Sequence, residues 1–251
     1  MKINVPKFRN LIKKSTLNYS MECLQLNFDP KEVKSSMISG PRDVLTNICL
    51  DNDFVTGMGI EDQITLNFID PAGKVSRYLD ILPEEVDVTI EENVKFTLHV
   101  GRRTIDIFMV DDSIIRNHIS QKSAKEMSYF ITLPVDQAFK TIVDGHKTVA
   151  PYYQKIYFGV KNKDFFIQST DRTNSGINTL NDPICPCDTE DMVMCFEFRN
   201  FFNLMEIIDD AKAAGKEFDL NFTYSKSDDR GLIYAVSKDG KEKYFLISRA
   251  L

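Results

Sequence analysis

The hydrophobic period of the chain changes several times, and each change marks an element. From Val5 to Thr16 the apolar residues Phe8, Leu11 and Ile12 fall at helical spacing, with Pro6 suited to a first helical turn. From Met21 to Phe28 the period shortens to two, with Leu24, Leu26 and Phe28 alternating, which predicts a strand. Val44–Leu50 and Gln63–Ile69 predict two more strands. Pro71–Leu82 returns to helical spacing, with Val75, Tyr78, Leu79 and Leu82 on one side. Three short strands follow, Val86–Ile90, Val94–Val100 and Thr104–Val110, joined by turns at Glu91-Glu92-Asn93 and Gly101-Arg102-Arg103.

Asp111–Met127 is polar and has no sustained period, which predicts a linker or a plain surface loop. Beyond it the order of elements starts again. Tyr129–Leu133 predicts a strand, and Pro134–Val149 a helix with Val135, Ala138, Phe139, Ile142 and Val143 inward. Lys155–Lys161, Asp164–Thr170 and Ser175–Leu180 predict strands, Asn181–Asp191 a loop, and Met192–Phe198 another strand. Arg199 to about Ala214 predicts a helix closed by Gly215. Glu217–Tyr224, Leu232–Ser237 and Lys243–Ser248 predict the last strands, with Ser237-Lys238-Asp239-Gly240 as a hairpin turn. Each half thus reads as helix, strands, helix, strands, and an internal duplication accounts for it. The expected division is residues 1–110, a connector at 111–127, and 128–251.

At 251 residues, with 43% apolar and 27% charged content, the chain can bury a real core in one large or two ordinary domains. The net charge of -6 argues against a uniformly basic nucleic-acid binder, so a DNA role requires segregated charge. Five scattered cysteines suggest free thiols in a reducing compartment. Cys185-Pro186-Cys187 is too tight for a zinc knuckle and has no matching ligand pair, so neither metal nor cofactor is expected. The amino-terminal stretch has no apolar run of signal-peptide type, and no stretch approaches the roughly 18 apolar residues of a membrane span. A soluble, intracellular protein is expected.

The helices carry the segregated charge. On the first, Lys7 and Lys14 are seven apart and share an azimuth, with Arg9 and Lys13 beside them and Phe8, Leu11 and Ile12 opposite. The second offers Lys74 and Arg77, the third Lys140 and Lys147 with Asp144 between. The fourth has Arg199 early and Lys212 and Lys216 late, but Glu206, Asp209 and Asp210 lie among them and would repel phosphate. A solvated helix face is the alternative for each of these elements. DNA presents about one negative charge per 1.7 Å, so a modest lining of Lys and Arg attracts it. No base-reading device is evident, so contact would be independent of sequence.

Catalytic signals are sparse. His99, His118 and His146 stand in no metal or nucleophile motif, and there is no GxSxG, Walker or dinucleotide fingerprint. The acid pairs Asp111-Asp112, Asp209-Asp210 and Asp228-Asp229 are adjacent in sequence, and adjacent strand residues point to opposite faces. A non-enzyme is expected.

Three segments carry a resemblance. FEFRNFFNLMEII (Phe196–Ile208) and KYFLISRAL (Lys243–Leu251) are similar to the last strand-into-helix segment and the closing strand of proliferating cell nuclear antigen. QAFKTIVDGHKTV, followed by IYFGVKNKDFFIQSTD, resembles the same family's helix-strand-turn-strand order, and DPAGKVSRYLDIL lies where the family has a short second helix. The chain resembles the DNA sliding clamps, a family that includes the T-even-like phage clamps, and its size and divergence look more like a viral or phage member. The resemblance implies an α+β fold of two duplicated clamp domains, with antiparallel sheets outside and helices on the inner face. It implies head-to-tail homotrimers that close a ring around double-stranded DNA, with edge strands paired at each junction. It also implies docking of DNA polymerase and clamp loader by a short peptide in an apolar groove, for which Val44, Ile114, Ile115, Ile119, Ile247 and Leu251 are candidates or ordinary packing residues. A monomeric viral accessory subunit that holds DNA by charge alone is the other reading, and the net acidity disfavours it.

Overall fold

Burial alternates along several strands, as over Val44–Asp51, where Val44, Thr46 and Ile48 are buried. The computed structural model describes residues 1–58, 62–91, 94–115, 128–148, 155–170 and 179–249. It divides into two compact units: Met1–Ile119 with Lys241–Lys243, and Ser120–Gly240 with Tyr244–Leu251.

The first unit runs β1 (Lys2–Asn4), α1 (Val5–Ser15), β2 (Cys23–Phe28), β3 (Glu32–Ile38), β4 (Val44–Asp51), the two-residue β5 (Val55–Thr56) and β6 (Ile64–Ile69). A π-helical turn, Ala72–Ser76, then leads into α2 (Arg77–Leu79), followed by β7 (Glu85–Glu91), β8 (Lys95–Val100) and β9 (Arg103–Phe108). One sheet has the order β5-β1-β7-β8-β9; in the other, β4-β3-β2-β6 lie side by side. Helix α1 packs on β3 and β4. Phe8 on α1 enters an aromatic core with Phe28, Phe54 and Phe96, at centroid distances of 6.4, 6.4 and 5.8 Å.

The second unit runs β10 (Ile131–Pro134), α3 (Gln137–Thr148), β11 (Lys155–Lys161), β12 (Asp164–Thr170), β13 (Thr179–Pro186), β14 (Met192–Glu197), α4 (Phe198–Ala213), β15 (Phe218–Ser225), β16 (Arg230–Ser237) and β17 (Glu242–Ile247). Its sheets have the orders β10-β15-β16-β17 and β13-β12-β11-β14. Apart from β5, both units therefore use one topology, strand, helix, four strands, helix, three strands, with the same strand neighbours. The core of the second unit centres on Phe158, whose ring lies 5.0–6.1 Å from those of Phe165, Phe196, Phe201 and Phe222. The architecture is α+β with antiparallel sheets, as expected.

Several elements differ from the sequence expectation. Strand β3 was not expected, because Lys34-Ser35-Ser36 hides its alternation; Val33, Ser35 and Met37 are the buried residues, and Ser35 is a polar residue turned into the core. Pro71–Leu82 is not one long helix but a π turn and a three-residue helical segment. The supposed loop Asn181–Asp191 is largely β13, despite Pro183 and Pro186. Proline is tolerated there because, among the described residues, β13 is the last strand of its sheet and pairs on one side only. In α3 the buried residues are Phe139, Val143 and His146, and Ala138 is exposed. Of the expected connector, Asp112–Ile114 forms a 3-10 turn, and 116–127 lie outside the described residues.

Candidate nucleic-acid interface

The first helix is built by strong local signals. Asn4, in extended conformation, accepts the Lys7 amide on its side chain at 3.0 Å, and Pro6 occupies the first turn. Val5, Phe8, Leu11 and Ile12 are buried, each worth on the order of 2 kcal/mol of apolar burial, which fixes the azimuth of the helix. Lys7 and Asn10 are then exposed, and Arg9 and Lys13 half-buried.

Lys14 is a correction. It shares Lys7's azimuth, yet it is buried, and its Nζ lies 2.8 Å from Oε1 of the fully buried Glu242. Azimuth alone did not decide its exposure. Lys241–Lys243 belong to the first unit and cover the end of α1, with the Cys49 amide donating to the Lys241 carbonyl at 2.8 Å. An ammonium engaged there does not reach phosphate.

Lys7 and Arg9 lie nearer the surface, each with a local acid. Lys7 Nζ is 2.6 Å from Asp53. Arg9 donates to the Leu79 carbonyl at 2.7 Å and meets Asp80 at 3.0 Å, which ties α1 to the end of α2. Lys74 is exposed, and the exposed Arg77 lies over the Tyr78 ring, 5.0 Å from its centroid.

In the second unit α3 and α4 are stitched by charge. Lys140 meets Asp209 at 3.0 Å and Lys147 meets Glu206 at 3.1 Å. The hydrogen bond to Asp209 holds the Lys140 pKa above its usual value, with the carboxylate charge adding to it. Lys212 donates to the Val135 carbonyl at 3.2 Å, Lys216 lies 3.4 Å from Asp239, and Arg199 is exposed in the first turn of α4. The acids of the fourth helix therefore offset the lysines of the third.

Among the groove candidates, Val44 (1% exposed) and Ile115 (6%) are core residues, because each packs inward from its segment; this corrects their assignment to an accessible groove. Ile114 is 50% exposed, Ile247 is half-buried, and Ile119 and Leu251 lie outside the described residues.

One arrangement had no signal in the sequence. His146 on α3 is fully buried, its Nδ1 is 2.7 Å from Ser169 Oγ on β12, and its Nε2 is 3.2 Å from Asp182 on β13 without hydrogen-bond geometry. Residues of three elements and wide separation meet here. Ser169 is itself fully buried, so the cluster is a polar tie inside the unit. Desolvation pushes the His146 pKa down, against the pull of Asp182. His99 contacts Thr89 at 3.0 Å, and His118 lies outside the described residues. Among the described residues no group of three or more His, Cys, Asp and Glu is arranged to hold a metal. No described helix is long and apolar enough to cross a membrane.

No protein-family model matches the chain, and no curated protein sequence matches it. Its backbone matches solved structures along the whole length. A. fulgidus PCNA, in a structure with the C-terminal region of FEN-1 bound, aligns with a TM-score of 0.65 at 11% identity, over 99% of this chain and 97% of that one. PCNA from Thermococcus kodakaraensis gives 0.64 at 15% identity, over 99% of both chains. The DNA polymerase sliding clamp from Bacillus subtilis gives 0.69 at 14% identity, over 100% of this chain but 64% of that one, so the chain spans just under two thirds of the bacterial clamp. At these identities the shared property is the backbone architecture: the chain has the fold of the DNA sliding clamps.

Proposed function

We propose that the chain is the subunit of a ring-forming sliding clamp, a processivity factor that encircles duplex DNA and tethers a polymerase, and that it is not an enzyme. The observation that carries this reading is the repeated topology with its leftover edges. Lys241–Lys243, at the start of β17, run beside β4 within the first unit. By the repeat, β9 is the counterpart of β17 and β13 the counterpart of β4. Among the described residues both β9 and β13 end their sheets, and β9 displays Phe108 at 71% exposure. Pairing β9 of one copy with β13 of the next repeats the arrangement and hides both edges. Such a contact is heterologous and closes a ring when the rotation permits. Three copies give the homotrimer that the resemblance implies.

Topology then supplies processivity, so phosphate contacts are weak and sliding. Polymerase and clamp loader dock by short apolar peptides, for which Ile114 is the exposed candidate. The site of action is intracellular, where DNA is replicated.

Sedimentation at micromolar concentration tests the ring. The expected species has three times the 28.8 kDa chain mass, and Phe108→Asp shifts it to a folded monomer. A wild-type monomer that fails to stimulate a polymerase on a primed circle overturns the reading. A monomer that stimulates it, with steeply salt-dependent binding to linear duplex, selects the accessory subunit that holds DNA by charge.

A further inference from the structure

The two units share a topology but not an electrostatic design. In the first unit the helical elements carry only cations: Lys7, Arg9, Lys13 and Lys14 on α1, and Lys74 and Arg77 in the π turn and α2, with no Asp or Glu in either. Lys14 is withdrawn into the core with Glu242, and Lys7 and Arg9 meet Asp53 and Asp80 from outside the helices. That leaves a surplus of positive charge, with Lys74 and Arg77 exposed. In the second unit the equivalent helices cancel. Lys140 and Lys147 on α3 are bound by Asp209 and Glu206 on α4, while Asp144 and Asp210 add two further acids against Arg199 and Lys212.

We infer that, among the described helices, the DNA-contacting charge resides on those of the first unit, and that the α3–α4 pair of the second unit is a self-neutralised surface past which the duplex slides without phosphate contacts. The inference rests on the clamp reading and refines it. The physical ground is competition. A lysine held at about 3 Å by a carboxylate must give up that partner to bind phosphate, and the carboxylate left behind repels the backbone. Lys74 and Arg77, exposed on elements that carry no acid, lie outside the salt bridges that hold Lys7, Arg9 and Lys14, and bear neither cost.

Binding of a fluorescein-labelled linear duplex, followed by anisotropy across a salt series, tests this on the full chain. Three variants are compared: Lys74→Ala/Arg77→Ala, Lys140→Ala/Lys147→Ala, and Glu206→Gln/Asp209→Asn. Each phosphate neutralised by the protein contributes about 0.9 to the slope of log affinity against log salt. The first variant should lower that slope by about 0.9 for each phosphate it no longer neutralises, and weaken binding at least about tenfold at low salt. The second should stay within about twofold of wild type. The third frees two lysines and should bind more tightly, with a slope steeper by up to about 1.8. Sedimentation of each variant reads ring integrity separately. If removing Lys140 and Lys147 costs as much as the first variant, or if neutralising Glu206 and Asp209 leaves affinity unchanged, the inference is overturned while the clamp reading stands. A wild-type protein that sediments as a monomer and binds no duplex removes both.

Discussion

Removing the carboxylate of Glu242 should cost this protein more than the loss of any surface ion pair. Glu242 is fully buried, and the Lys14 side chain is 8% exposed, at 2.8 Å from it. Both charges have left water, so removing one leaves the other buried without its ionic partner. Glu242→Gln leaves a buried ammonium with a neutral amide, and a buried pair broken on one side typically costs about 3–5 kcal/mol. In a chain of this size about 1 kcal/mol shifts the midpoint by roughly 2–4 °C, so the loss expected in thermal unfolding is roughly 6–20 °C. Lys241 and Asp51, one residue along, provide the internal control. They also pair closely, at 2.7 Å, but with 39% and 78% exposure, and Asp51→Asn should cost no more than about 1 kcal/mol. The double replacement Lys14→Met/Glu242→Leu removes both charges and should recover most of the loss. If Glu242→Gln unfolds within about 2 °C of wild type, the pair does not hold the Lys241–Lys243 segment on the first unit, and the reasoning fails.

Further outcomes follow from the second unit. Phe158→Ala empties the centre of a five-ring cluster and should destabilise by about 3–5 kcal/mol in urea unfolding. Gly159→Ala places a methyl group against the Met192 carbonyl of the neighbouring strand and should loosen the β11–β14 pairing, read as faster amide exchange in both strands. His146 is held neutral chiefly by burial, so the unfolded chain takes up a proton before the folded one as pH falls. Stability from this site is intact above the ordinary value of 6.5 and declines below it. Wild type should therefore lose more thermal stability than His146→Gln between about pH 7 and 5.5, and equal losses would refute the assignment.

Much of the backbone was legible in the sequence. A period of about 3.6 residues marks α1 and α4, and Leu24, Leu26 and Phe28 at a period of two mark β2, because a face of each meets a core, whereas β11 and β12 stand out as short apolar runs buried on both faces. The repeat of elements across the two halves was visible for the same reason, without any matching of letters. What stayed hidden depends on partners remote in the chain. Strand β3 conceals its alternation behind a buried Ser35, and β13 carries prolines that only an edge position tolerates. Lys7 and Lys14 look alike by azimuth, and only a segment some 228 residues away separates a surface cation from a core ion pair. The lysines of α3 and the acids of α4 are both plain in the sequence, but their mutual cancellation required the helices to be placed side by side. Local pattern fixes which face of an element avoids water, since that depends on spacing alone. Tertiary structure decides which charges remain available, since a charge is engaged or free according to what the fold brings within a few ångströms of it.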